Sequence, residues 1–301
     1  MTLEPVYDLV RSLVGIGWLP AIFEHTFMIR GLLASLIIGP LLGGVGTVVV
    51  TRKLSFFTQT IGNGAMSGVA IGLLFGEPVD ATYAGLYGFC LLVALVTTYV
   101  KNRSRLASDT IIGVVLAQVF GLGIILMILV TSQFNIHQVE GILFGSLITL
   151  TDLDLITLFL ASALVWIIFA WNFNKVMLGG FNSMLAKSRG LSPVLLEYLF
   201  VTLLTLVVVA SLKLIGALLV LVLVVVPAAA AQTVVSNLRS FVWLSMFFAT
   251  VSTTLGLLLS ALLPVPSGAV IALVSALLFY GALLSRPLLY RLRRGIGFSS
   301  S

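Results

Sequence analysis

This chain reads as an all-α protein that crosses a membrane many times, an architecture that two observations predict. Of its 301 residues, 60% are hydrophobic and only 9% are charged, whereas soluble domains carry about 25% charged residues. Mean hydropathy is +1.21. The apolar residues also fall into separate runs, most of them near the roughly 20 residues a helix needs to cross a bilayer. The net charge of +6 does not mark a nucleic-acid partner. Lysine and arginine sit in short clusters between apolar runs, as they do in cytoplasmic membrane loops. The single cysteine, Cys90, excludes an intramolecular disulfide and a cysteine-cluster metal site.

Taken in order, residues 1–30 form an N-terminal interfacial segment. Its stretch 6–24 is an amphipathic helix broken by Gly15, Gly17 and Pro20, and no cleavable signal peptide is expected. Residues 31–285 form one membrane domain of about nine spans, near 31–50, 56–76, 81–100, 109–131, 152–173, 194–212, 215–235, 240–262 and 267–285. Gly141–Leu150 is too short to cross and reads as a half-helix dipping back into the protein. Residues 286–301 form a basic tail. Under this assignment Arg52, Lys53, Lys101, Arg103, Arg105, Lys175, Lys187, Arg189, Arg239 and the C-terminal arginines share one side, against Arg11, Arg30 and Lys213 on the other. The excess of positive charge places the first group, and the C-terminus, in the cytoplasm, and the N-terminus outside.

The second span is the most informative. Gln59 and Asn63 are four residues apart, so they share a helical face. In so apolar a segment, a polar face marks either a pathway or a helix contact rather than a lipid surface. Gly39, Gly43, Gly44 and Gly46 in the first span, and Gly62, Gly64, Gly68 and Gly72 in the second, allow close approach of another backbone. The glycines of the second span also leave room for a passage. Pro227 removes a backbone hydrogen bond and is expected to kink the span 215–235.

The cytoplasmic loop 174–193 contains a short helix, Asn182 to Arg189, ended by Gly190 as a C-cap. It is either a docking element for a cytoplasmic partner or a solvated basic loop. Asp109 and Glu197 lie at span ends, and no ionisable residue falls at mid-membrane, which counts against proton- or sodium-coupled transport. His137 and Glu140 share a helical face at the outer side, where they form a weak candidate cation site or plain surface. There is no phosphate-binding G-x-x-x-x-G-K-[ST] loop and no hydrolase motif, so the chain is not expected to be an enzyme, and any ATP-driven motor is on another chain.

Four stretches carry a resemblance. They are RKLSFFTQTIGNGAMSGVAIG at 52–72, SDTIIGVVLAQVFGLGIIL at 108–126, GILFGSL at 141–147 and LIGALLVLVLVVVPAAAAQ at 214–232. In these residues the chain resembles the membrane permease subunits of zinc/manganese-type ABC importers, over nearly everything from Phe27 to Arg286. The resemblance implies a multi-pass permease of a bacterial-type cytoplasmic (inner) membrane, embedded in lipid and paired with a second copy of itself. It also implies two cytoplasmic ATPase subunits that carry the ATP, an extracytoplasmic substrate-binding protein, and Zn, Mn or Fe as the transported ion. No cofactor is expected on this chain itself.

The resemblance further implies that Phe181, Asn182, Ala186, Lys187, Ser188, Arg189 and Gly190 belong to a coupling helix that fits the ATPase. The family often has an aspartate at the position of Asn182. In the second span, family members usually carry an Asp-x-x-x-His metal pair; here its positions are Gln59 and Asn63, two neutral carboxamides. Three readings follow: a working metal permease with a weaker or displaced site; a permease of the same architecture for a chelated or non-metal solute; or a substituted pair that leaves transport impaired. Outside the family, a secondary carrier and a non-transporting scaffold are the alternatives.

Overall fold

The computed structural model describes residues 25–78, 82–131, 152–181, 183–235, 237–263, 265 and 267–296. Among the described residues the chain is helical throughout and contains no strand. The helices are α1 (Thr26–Thr51), α2 (Ser55–Leu74), α3 (Tyr83–Arg103), α4 (Ser108–Thr131), α5 (Asp152–Phe181), α6 (Ser183–Ser188), α7 (Pro193–Ile215), α8 (Ala217–Val234), α9 (Leu238–Leu262) and α10 (Ser267–Ile296). The expected interfacial helix 6–24, the half-helix 141–150, His137, Glu140 and Asn182 lie outside the described residues.

Each of the nine expected spans coincides with one long helix. Seven helices among the described residues are long and apolar enough to cross a membrane: α1, α3, α4, α5, α7, α9 and α10. The other two expected spans fall short for identifiable reasons. Helix α2 is diluted by Gln59, Asn63, four glycines and several hydroxyls. Helix α8 is the shortest of the nine at 18 residues, since it begins directly after the break at Gly216.

Helix α1 is the most enclosed span, with 72% of its apolar window buried against 28% for α4, α5 and α10. It packs on α9, α8 and α5. Its glycines make this possible: a Cβ on Gly39 would lie 2.7 Å from the Thr250 Cα, and one on Gly43 would lie 2.7 Å from the Ser245 carbonyl oxygen. The Ser245 hydroxyl donates to the Gly43 carbonyl at 2.6 Å, tying α9 to α1 across the contact. The outer helices carry apolar stripes such as Leu160, Leu164, Ile167 and Trp171 on α5, all more than half exposed. In a chain of this composition such stripes suit lipid, which offers backbone groups no partners and so enforces helices.

Two helix ends differ from expectation. Helix α5 continues to Phe181 rather than stopping near residue 173, so the connection to α7 is shorter than the expected 174–193 loop. Helix α10 likewise runs on to Ile296, past the expected end of its span. Helix α8 stays helical through Pro227. Helices α7 and α8 are separated by Gly216, the single residue between them, with φ 81° and ψ 160°.

Candidate functional site

Helix α2 lies inside the fold, packed against α3, α4, α7 and α8. Between Phe56 and Ala70 every residue is buried except Phe56, Gln59, Asn63 and Met66. These four are spaced at i, i+3, i+7 and i+10, so they form one stripe of the helix. The structure therefore brings Gln59 and Asn63 together on the one open face of an otherwise enclosed helix. Among the described residues neither carboxamide is engaged in a hydrogen bond, which leaves its oxygen and its N–H groups free to meet something on that face. Phe56 and Met66 were not singled out from the sequence, although the same spacing rule extends to both.

The walls of the stripe are close-packed. Behind it, a Cβ on Gly68 would lie 2.9 Å from the Gly85 carbonyl oxygen, and one on Gly85 would lie 2.6 Å from the Gly68 carbonyl oxygen and the Gly72 Cα. Helices α2 and α3 thus touch backbone to backbone, the contact that small residues permit. Glu77 fixes the outer end of this crossing by accepting from the Gly85 N–H at 3.0 Å. On the α4 side, the Ser67 hydroxyl donates to the Val119 carbonyl at 3.1 Å, and Gly64 makes only an ordinary contact with Val119. Of the second-span glycines, Gly68 and Gly72 serve close packing, whereas Gly64 has room to spare.

Below the stripe, α1 and α2 are joined by Arg52, Lys53 and Leu54 alone. The Leu54 N–H bonds the Val49 carbonyl at 2.9 Å, and the Lys53 N–H bonds the Val50 carbonyl at 3.1 Å. This is a Schellman cap with Lys53 at the left-handed position, φ 57°. The Arg52 side chain reaches α5, where an Nη donates to the Val176 carbonyl at 2.6 Å. It also lies over the Phe200 ring of α7, 5.5 Å from its centroid. Burial pulls the Arg52 pKa below its ordinary value, and the Glu197 carboxylate acts in the opposite direction. Glu197 is itself paired with Lys101 of α3 at 2.5 Å. The sequence offered Arg52 and Lys101 only as topology charges; their partners lie about a hundred residues away, and nothing local signals them.

The short helix α6 follows. Ala186 is fully buried, whereas Met184 and Leu185 are 81% and 54% exposed. Lys187, Ser188 and Arg189 are also exposed. Gly190 has φ 73°; its N–H bonds the Lys187 carbonyl at 2.9 Å, and the Leu191 N–H bonds the Ala186 carbonyl at 3.0 Å. This second Schellman cap is the C-cap that the sequence expects at Gly190. Phe181 is the last residue of α5, immediately before α6. Pro227 is inside α8, away from the stripe in sequence and with no polar partner to offer it. Among the described residues no group of three or more His, Cys, Asp or Glu side chains is placed to hold a metal ion.

A multi-span helical subunit with a polar stripe on an enclosed helix and a capped amphipathic turn at one end has the form of a transporter's membrane component. The chain belongs to the ABC 3 transport family, whose model matches residues 24–286. It is 29% identical over 282 residues to the manganese transport system membrane protein MntC of Listeria monocytogenes, covering 94% of this chain and 97% of that protein. A probable iron transport system membrane protein of Haemophilus influenzae is 28% identical over 269 residues, covering 88% of this chain and 92% of its own length. Among solved structures, PsaBC from Streptococcus pneumoniae in complex with Fab superposes with a TM-score of 0.78 at 26% identity, covering 96% of this chain and 99% of that one.

Proposed function

We propose that this chain is the permease subunit of an ATP-driven importer of divalent transition metal ions, working as a homodimer by alternating access. The observation that carries the reading is the stripe Phe56, Gln59, Asn63 and Met66, the one open face of the family's enclosed second helix. Two copies that meet across this face enclose a route lined by four carboxamides. All nine long helices cross the membrane in this reading, with α2 and α8 shielded from lipid by their neighbours, and the C-terminus is cytoplasmic by the charge bias. ATP is hydrolysed on separate subunits that dock against α6 through Met184, Leu185, Lys187, Ser188 and Arg189. An extracytoplasmic binding protein delivers the ion.

The donor set bears on which ion is carried. Carboxamide oxygens are neutral and hard, so they suit Mn²⁺ better than Zn²⁺, which prefers imidazole and thiolate. Manganese is also the ion in the name of the Listeria relative. Without a carboxylate or an imidazole, Gln59 and Asn63 hold the ion weakly and leave it partly hydrated, which favours release over retention. A second reading, a chelated metal, draws on the same carboxamides, because they both donate and accept hydrogen bonds.

The test is uptake of Mn²⁺, Zn²⁺ and Fe²⁺ into proteoliposomes that contain the chain with its ATPase, supplied with its binding protein. ATP-dependent Mn²⁺ uptake is expected, and saturation by a chelate instead would favour the second reading. The double substitution Gln59→Asp with Asn63→His is expected to tighten binding of free metal by at least about tenfold, equivalent to about 1.4 kcal/mol. Unchanged affinity and uptake in that variant would remove these two positions from the site.

A further inference from the structure

The Arg52 side chain is placed where two parts of the molecule with different tasks meet. Its backbone caps α1 and begins the three-residue turn into α2, seven residues before Gln59. Its guanidinium leaves that turn altogether. One Nη donates to the Val176 carbonyl of α5 at 2.6 Å, and the group lies against the backbone at Gly179 and Gly180. A Cβ on Gly180 would lie 3.0 Å from the Arg52 Nε and 3.1 Å from its Cγ. Gly180 is three residues before Ser183, where α6 begins. The α6 helix is anchored through Ala186, which is wholly buried, and it packs on α5 and α7. A displacement of α6 therefore moves the end of α5, and the end of α5 is held by the guanidinium.

The grip is incomplete in this conformation. The Arg52 Nε is buried and has no hydrogen-bond partner, which is unfavourable for a donor shut off from water. Above the guanidinium lies the Phe200 ring, and the nearby carboxylate of Glu197 is engaged by Lys101. A half-buried cation with one buried donor unmet and a carboxylate in its neighbourhood has a second arrangement open to it. That property distinguishes a coupling contact from a fixed brace, since coupling requires an element with two discrete states.

From this geometry we infer that Arg52 is the positioning residue through which movement of α6 reaches the Gln59–Asn63 face of α2. The inference rests on the permease reading above. In it, the α1–α2 turn moves as a unit because both Schellman bonds and the buried Leu54 stiffen it. The Arg52 side chain does not touch the transported ion; it sets the position of the helix that does.

The experiment uses the complete transporter in proteoliposomes, with Mn²⁺ as the probe, and reads ions transported per ATP hydrolysed. Arg52→Gln is expected to lower that ratio by about tenfold, within the usual range of coupling effects, while ATPase association and ATP turnover stay near wild type. Gly180→Ala is the independent variant, because it keeps the charge and pushes a methyl group against Nε; the ratio is expected to fall in the same direction. Arg52→Lys keeps the charge without the planar fork and is expected to restore only part of the coupling. A normal ratio in Arg52→Gln overturns the inference. Loss of melting temperature or of ATPase association in proportion to the loss of uptake also overturns it, since that pattern belongs to a structural brace. Failure of the wild-type assembly to move Mn²⁺ with ATP would instead overturn the permease reading itself.

Discussion

Gly85 shows how much a single hydrogen atom decides in this fold. A methyl group there would meet the Gly68 carbonyl oxygen, the Gly72 Cα and the Gly72 nitrogen, all at 2.6 Å. All three are backbone atoms of α2 and none can rotate away, so α3 must move off α2 as a body. Overpacking of this kind costs about 1–3 kcal/mol, and here it also shifts the helix that carries Gln59 and Asn63. Gly85→Ala is therefore expected to lower the melting temperature in detergent and to reduce uptake. Gly88→Ala is the matched control on the same helix, because nothing lies within 4 Å of its Cβ position. It is expected to be neutral or to stabilise by up to about 1 kcal/mol through helix propensity. Equal melting temperatures for the two variants would show that the α2–α3 contact is looser than its geometry. The sequence makes Gly62, Gly64, Gly68 and Gly72 look alike and does not mark Gly85, since a glycine's neighbours are set by tertiary packing.

At the scale of elements, the corner between α7 and α8 depends on Gly216 alone. With φ 81° and ψ 160° it occupies a region that is essentially closed to residues with a Cβ, at a cost of about 1–3 kcal/mol. Gly216→Ala is expected to destabilise by that amount and to disturb the seating of α8 against α1 and α2. A thermal melt combined with cross-linking between α8 and α1 checks both parts, and an unchanged melt and cross-linking yield would refute the role given to the corner. The sequence placed spans at 194–212 and 215–235 and so found both helices, and it singled out Pro227 but not Gly216. Proline advertises a missing donor locally, whereas the role of Gly216 follows from the direction in which α8 must run. The end of α5 lies past its expected span for a related reason. Hydropathy reports where lipid ends, and a helix can continue past that point: Asn174 and Lys175 read as loop but continue α5 to Phe181. The stripe on α2 was legible because a four-residue spacing is a property of the helix itself. The reach of Arg52 to Val176 was not, because 124 residues separate them.

For the molecule as a whole, the proposed importer would attach to its motor through α6. Met184 is 81% exposed and Leu185 54% exposed, beside the exposed Lys187 and Arg189, while the buried Ala186 and the Gly190 cap hold the helix in place. An apolar pair with a basic rim suits a cleft that is hydrophobic at its centre and acidic at its edge. Reversing one rim charge is then expected to weaken attachment without disturbing the fold, because Arg189 is exposed and the cap is formed by backbone groups. Arg189→Glu should lower affinity for the ATPase by about tenfold, or about 1.4 kcal/mol, with a stronger effect at low salt, since rim charges act chiefly through long-range attraction. Met184→Ala removes the apolar contact and should weaken association at every salt concentration. The two variants thus separate steering from anchoring: co-purification measured across a salt series distinguishes them, and melting of the isolated chain should stay at the wild-type temperature in both. If both variants retain the ATPase and transport at the wild-type rate, the motor attaches elsewhere, and the path from α6 through Arg52 to α2 loses its starting point.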